Sequence, residues 1–523
     1  MVRENKILIT MKRIIIFSAG LLLILFVSTG MTQTFPVDND FHSYQNDIID
    51  RLVDLGVLEL DFPDSRPYRL EDIREAIYDA VYLSQNQYNE LISSQLELLR
   101  ISLNHLKPED ERINLNLDLS SEGNHPEQGK SFTSETLRGI FGFELKDNVN
   151  LFTEFALDES LADDPLYEGK VWRSLAGQVE RAYLELDFDN IQFYFGREKS
   201  SWGPGRRGNL LLSSHSRAMD QAKLTARYGP VKFTTVIAIL DQEDNELALS
   251  DTTLDWDINR YFSAHRLEIM PYDKLTIGLA ESVIYGGAGR GLEFYYTNPI
   301  TWYHGEQLNQ DNDDNTFISV DASWYPVRGI ELYGEFLIDD YQVDDETPGD
   351  NEPSEIGYLA GVNLIEPIKG SGIDFDFEYT RVNNWTYNQN KSHNRYVHNN
   401  RLIGHFLGPD RESMYFAMKK WFTVGAKAVL SYERQNSGEG NVFSDWTAPW
   451  LYASEGYEEE FPSGNVEEAD ILGLSLKLFK WNNLQIDFDN YFIFYDNKDN
   501  IEGNSSSNYR GRFQVRYLLD IIG

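Results

Sequence analysis

From Arg112 to the C-terminus the chain alternates apolar and polar residues with a period of two. Ile113, Leu115, Leu117 and Leu119 are interleaved with Asn114, Asn116 and Asp118. Ile373, Phe375, Phe377 and Tyr379 are interleaved with Asp374, Asp376, Glu378 and Thr380, and Leu472, Leu474, Leu476 and Leu478 repeat the pattern. Successive side chains of a strand point to opposite faces, so such a segment divides an apolar medium from water. About 18 segments of this kind follow one another. Short turns, such as Gly229-Pro230 and Pro326 to Gly329, alternate with longer polar connections. Three of the connections are acidic: Asp241 to Asp257, Asp339 to Glu355 and Glu455 to Asp470. Short turns at one end and long loops at the other predict an all-β transmembrane barrel of about 18 antiparallel strands over residues 109–523. A soluble sandwich or propeller array is the alternative, but no internal repeat of roughly 40–50 residues supports a propeller.

The period changes upstream. Ile48, Ile49, Leu52, Val53 and Leu55 fall at helical spacing, and Gly56 offers a stop. A second run carries Leu70, Ile73, Ile77 and Tyr78, and a third carries Leu91, Leu96, Leu98, Leu99 and Leu103 ahead of Pro108. Residues 34–108 are therefore expected to form a small helical domain of three helices. Residues 1–33 read as a signal peptide. Lys12-Arg13 precede the apolar run Ile14 to Val27, and Ser28-Thr29-Gly30 follow, with cleavage expected between Gly30 and Gln33.

Composition narrows the classes. The chain has 523 residues, 84 acidic against 46 basic, and a net charge of −38, which argues against a nucleic-acid partner. Its 30 Tyr and 30 Phe suit the aromatic girdles of a membrane barrel. It has no cysteine, so disulfides, thiolate metal sites and cysteine-linked lipid anchors are excluded.

Against this acidic background, Arg197 to Arg227 hold seven Lys/Arg and two acids, a local charge of +5. Gly203-Pro204-Gly205 within that stretch must be a tight turn, since proline fixes φ and glycine permits positive φ. Arg206, Arg207 and Arg217 are guanidinium forks suited to carboxylates or phosphates. The glycines are not followed by the Gly-Lys-Ser/Thr of a phosphate loop. Two readings stay open: the basic residues pair with lumenal acids, or they meet an acidic saccharide.

The run "FGREKSSWGPGRRGNLLLSS" resembles the Gly-Arg…Trp-Gly-Pro-Gly…Leu-Ser signature of the capsule assembly protein Wzi family. Five further blocks follow in order: "HRLEIMPYDKLTIGLAESVIYGG", "YTNPITWYHGEQLNQDNDDN", "WYPVRGIELYGEFLIDDYQ", "FEYTRVNNWTY" and "IGHFLGPD". The resemblance covers residues 180–420 by motif. It implies an 18-stranded outer-membrane barrel with a periplasmic helical bundle, holding capsular or exopolysaccharide at the cell surface without being an enzyme. The expected partners are that polymer and outer-membrane lipid, and the expected state is a monomer. An outer-membrane channel for oligosaccharides or small solutes is the alternative.

Saccharides are held by flat aromatic faces and a few fixed polar groups. The candidates for polysaccharide binding or lumen lining are Arg197, Trp202, Arg206, Arg207, Arg217, Tyr285, Arg290, Trp302, Tyr303 and His304. Catalytic constellations are weaker. Ser213 and His215 lack a nucleophile-elbow context. Glu281, Glu293, Glu331 and Glu335 could supply paired carboxylates, but a polar lumen contains acids in any case. His265, His304, His393, His398 and His405 lack the spacing of a zinc site. Asp311 to Asn315 lacks the glycine and distal glutamate of a calcium loop. No cofactor, metal or catalytic residue is expected.

Overall fold

The computed structural model describes residues 43–522, except segments 83–87, 107–112, 164–166, 244–257, 342–350 and 453–456 and positions 128, 147, 168, 174, 189, 311 and 482. The expected signal peptide lies outside the described residues, as does most of the acidic connection from Asp241 to Asp257.

Among the described residues, eighteen antiparallel strands close into one barrel, from Ile113–His125 to Ser506–Ile522. The first strand pairs with the last, Leu117 opposite Leu519 and Gly123 opposite Phe513, so no edge is left open. Alternation sorts the side chains as the sequence predicts. Leu119, Phe155, Val320, Phe377, Leu474 and Phe513 face outward and are exposed, forming an apolar belt that fits a bilayer core. The intervening positions face inward, where buried ions pair. Arg138 reaches Asp118 and Glu154, each at 3.0 Å, Lys232 reaches Glu268 at 2.9 Å, and Arg266 donates to Asp321 at 2.9 Å. A buried charge is tolerated only with such a partner.

Helices α1 (Ser43–Asp54), α2 (Leu70–Tyr82) and α3 (Glu90–Leu106) match the three predicted runs. Gly56 takes a φ of +58° and ends the first run, the left-handed conformation that favours glycine. The apolar faces of the helices share one core that also contains Ile365, Trp421 and Phe479, at the short-turn ends of barrel strands. Tyr44 stacks on Phe479 at 4.7 Å. Arg51 donates to Asp374 of the barrel wall at 2.8 Å, and Asp47 pairs with Lys427. The helices thus cap the barrel at its short-turn end.

Candidate functional site

The opposite, long-loop end is filled by two connections that fold inward: residues 199–218, called the tongue here, and residues 383–410. The tongue reaches down the lumen to the helical region. Ser201 and Trp202 form a short antiparallel ladder with Arg66 and Ser65, and Gly203 N donates to Asp64 O at 2.8 Å. Trp202 is 2% exposed and packs with Leu210, Leu211 and Leu212 in the lumenal core.

The tight turn at Gly203-Pro204-Gly205 is required by close approach. Gly203 has φ +122°, and a Cβ on Gly205 would lie 2.0 Å from the Gly208 carbonyl oxygen. Asn209 braces the turn, accepting from Gly205 N and donating to Ser201 Oγ, both at 2.8 Å. Wall carboxylates satisfy the backbone beyond it. Glu335 accepts from Leu210 N at 2.9 Å and Leu211 N at 3.1 Å, and Glu378 accepts from Arg206 N at 2.9 Å.

The two central arginines are committed inside the barrel. Arg206 meets Asp54 of α1 at 2.9 Å, Asp50 at 3.1 Å, and Glu331 of the wall. Burial alone would favour the neutral guanidine, but these three acids hold the group charged, well above its ordinary range. Arg207 meets Glu433 at 2.6 Å and lies over the Tyr415 ring at 4.2 Å. Of the two readings the sequence left open, lumenal pairing describes Arg206 and Arg207.

The 383–410 connection locks the tongue from above. Tyr387 donates its hydroxyl to Leu210 O at 2.6 Å, Tyr396 to Leu211 O at 2.9 Å, and Ser213 N donates to Ile403 O at 2.9 Å. His405 is buried near Arg207 and His215, and burial with those neighbours pushes its imidazole down to about 3, so it sits neutral.

Where the tongue emerges, a cavity of about 630 Å³ opens at the long-loop end. Its lining includes six Lys/Arg (Arg138, Arg181, Arg197, Lys199, Arg217 and Arg401) against four acids (Glu154, Glu180, Asp220 and Asp241), with Tyr167 and His398. Arg197 is partly spoken for, pairing with Asp220 at 2.7 Å, but both groups remain solvent-accessible. Sequence reasoning found Arg197 and Arg217. It counted Lys199 in the basic stretch without singling it out, and it missed Arg401 and Tyr167, which lie on separate segments that only the fold brings together.

The remaining candidates, expected to bind polysaccharide or to line the lumen, lie elsewhere, and strand phase places them outside the barrel wall. On the strand Ile258–Tyr272, Phe262, Ala264 and Arg266 face inward, so Tyr261, Ser263 and His265 face outward. Glu281, Val283 and Tyr285 of Leu275–Ala288 share that outer face. The connection 289–314 folds down over it with the short helices α4 (Phe294–Thr297) and α5 (Tyr303–Gln310). Tyr285, Tyr296 and Tyr303 form a buried cluster outside the wall. Glu281 accepts from Tyr303 N at 3.0 Å and His304 N at 2.8 Å, capping α5 from the barrel. Arg290 is tied to Glu293 at 2.7 Å and to Asp314. Trp302 and His304 are exposed there.

The same phase separates the glutamates weighed as a pair: Glu281 is outside the wall, whereas Glu331 and Glu335 are inside it. Glu293 holds Arg290, and Asp314 and Asp313 hold Arg290 and Lys391, while Asp311 lies outside the described residues. Ser213 Oγ accepts from His215 N at 3.4 Å and Asn209 N at 3.5 Å, a turn-closing role.

The family model described as capsule assembly protein Wzi matches residues 128–488. Among solved structures, the chain is similar to Wzi of Escherichia coli, an outer-membrane protein involved in group 1 capsule assembly and described as a carbohydrate-binding β-barrel. That likeness has a TM-score of 0.63 at 14% identity, covering 92% of this chain and 98% of that one. It is also similar to OccK10 of Pseudomonas aeruginosa (TM-score 0.44, 11% identity, 79% and 100% covered) and to OprD of the same organism (0.44, 11%, 79% and 94%). No curated protein matches the chain in sequence.

Proposed function

We propose, starting from the premise that this chain belongs to the capsule assembly protein Wzi family, that it is an outer-membrane barrel that holds an acidic capsular or exopolysaccharide non-covalently. The long loops face the cell exterior, and the helices close the periplasmic end. The observation that carries the binding site is the cavity at the long-loop end, where Arg197, Lys199, Arg217 and Arg401 converge with Tyr167 in a chain of net charge −38. Guanidinium forks suit carboxylate or phosphate substituents, and an aromatic face suits a sugar ring. The net negative charge of the chain keeps such a polymer from adhering at random and steers it to the basic mouth.

The plugged lumen favours attachment over a channel. Among the described residues the tongue, the 383–410 connection and the helices occupy it, and two lumenal cavities, of about 430 and 310 Å³, are lined by paired ions. The protein acts alone, without cofactor and without catalysis.

The test replaces Arg217 and Arg401 with Glu in the source cells and separates cell-associated from released polymer. Polymer should shift to the medium while total synthesis holds. Purified protein should bind acidic polymer more weakly after the change, most clearly at low salt where charges are less screened. An unchanged distribution and equal affinity at low salt would remove this cavity from the mechanism.

A further inference from the structure

A region of the outer wall departs from the apolar belt. Lipid-facing positions are apolar around the barrel, yet His265, Glu281, Ser263, Thr235 and Thr316 point outward from adjacent strands. Left bare, such groups would be costly against hydrocarbon. They are not bare: Glu281 is 5% exposed, and the 289–314 connection covers the patch. Its own backbone satisfies the carboxylate, and His304 Nδ1 hydrogen-bonds Thr316 Oγ1 at 3.1 Å.

The covering segment then presents the opposite character on its far side. Phe294 is 91% exposed, Ile300 86%, Leu308 69% and Trp302 62%. This apolar surface is continuous with the belt, because Leu279, Ile239 and Val320 on the same and neighbouring strands are exposed beside it. Its height fits as well. At roughly 3.3 Å per residue and a strand tilt of about 40°, Glu281 stands roughly 15 Å above the start of its strand at Leu275 and Tyr285 roughly 25 Å. The segment therefore lies against the upper part of an apolar band about 25 Å tall.

We propose that residues 289–314 form an interfacial anchor: the segment lies on the outside of the barrel wall and buries Phe294, Ile300, Trp302 and Leu308 among the acyl chains of the leaflet nearest the long loops. The anchor exchanges a polar patch of wall for an apolar surface. It also places Trp302 at the depth where indole rings collect in membranes. The inference rests on the barrel spanning a bilayer but not on what the barrel binds.

The absence of cysteine makes the test direct. Single variants Phe294→Cys and Ile300→Cys are spin-labelled and reconstituted in phosphatidylethanolamine–phosphatidylglycerol vesicles, with a water-soluble nickel chelate on both sides. Leu279→Cys reports the belt, and Tyr452→Cys, on an exposed long loop, reports water. A heat-modifiable band shift on electrophoresis establishes folding of each variant. The oxygen-to-nickel relaxation ratio at 294 and 300 should approach that at 279 and exceed that at 452 by about tenfold, since the apolar layer excludes polar solutes. Ratios at 294 and 300 equal to that at 452 would put the segment in water and overturn the proposal. Protection from both agents with dipolar broadening would mean a second copy covers the surface, which also overturns it. An aqueous ratio at 279 would fail the membrane-barrel reading itself.

Discussion

Replacing Arg206 with Gln removes the one cation that three carboxylates share. Asp54 and Glu331 are buried, and Asp50 is part-exposed. Deleting one partner of a buried ion pair costs about 3–5 kcal/mol, most of it from the charge left behind. Glu331 keeps two other donors, Asn363 Nδ2 at 2.6 Å and Tyr325 Oη at 2.9 Å, which places the expected loss at the lower end, about 3 kcal/mol. Asp54 is the group left exposed to the full penalty. Because Arg206 links the tongue to α1 and to the wall at once, the loss falls on tongue docking and lowers the ratio of closed to open forms by roughly 150-fold. The assay is conductance in a planar bilayer together with thermal unfolding in detergent. Arg206→Gln should add open events and lower the midpoint, and Arg206→Gln with Asp54→Asn should recover part of both, since one unpaired charge is gone. Unchanged conductance and midpoint in the single variant would refute the reasoning. A double variant no better than the single would refute the unpaired-charge account of it.

Two other expectations concern the same plug. Gly205→Ala forces a backbone shift against the Gly208 carbonyl and should lower the unfolding midpoint and raise leakage, whereas Gly56→Ala, with open space around its Cβ but a positive φ, should cost only about 1 kcal/mol. His405 sits neutral in the closed form with its imidazole near 3, against an ordinary value of about 6.5 when released. The released form thus binds more protons between those values, so docking of residues 383–410 should weaken as pH falls through about 6.5 toward 3. Amide exchange across the segment reads this, and His405→Gln should flatten the slope.

The barrel was legible because its strands answer to two media, and a period of two records that directly. The helices were legible for the same kind of reason: Ile48, Ile49 and Leu52 mark one face of α1. Their docking into the barrel mouth was not, because Arg51 finds Asp374 323 residues away and nothing local encodes the pair. The basic cluster of the tongue was visible as a charge anomaly. Its partners were not, since Glu331 and Glu433 lie 125 and 226 residues from Arg206 and Arg207. The wall patch did leave a signal. In the strand Ile258–Tyr272, Arg266 and Glu268 occupy one face while Ser263 and His265 occupy the other. A membrane strand polar on both faces must be covered on one of them. The cover comes from the segment that follows the neighbouring strand, whose apolar residues Phe294, Ile300 and Trp302 have no period of two to mark them.

The ladder between Ser65-Arg66 and Ser201-Trp202 has a mechanical consequence. The tongue begins and ends at the rim, where Lys199 and Arg217 line the outer cavity, and its first residues, Ser201 and Trp202, are fastened to the chain between α1 and α2. A pull at the rim is therefore passed through the lumen to the helical cap, shared by the ladder, the Arg206 cluster and the tyrosine latches. Drag on the outside is thus shared between the wall strands and an internal strut.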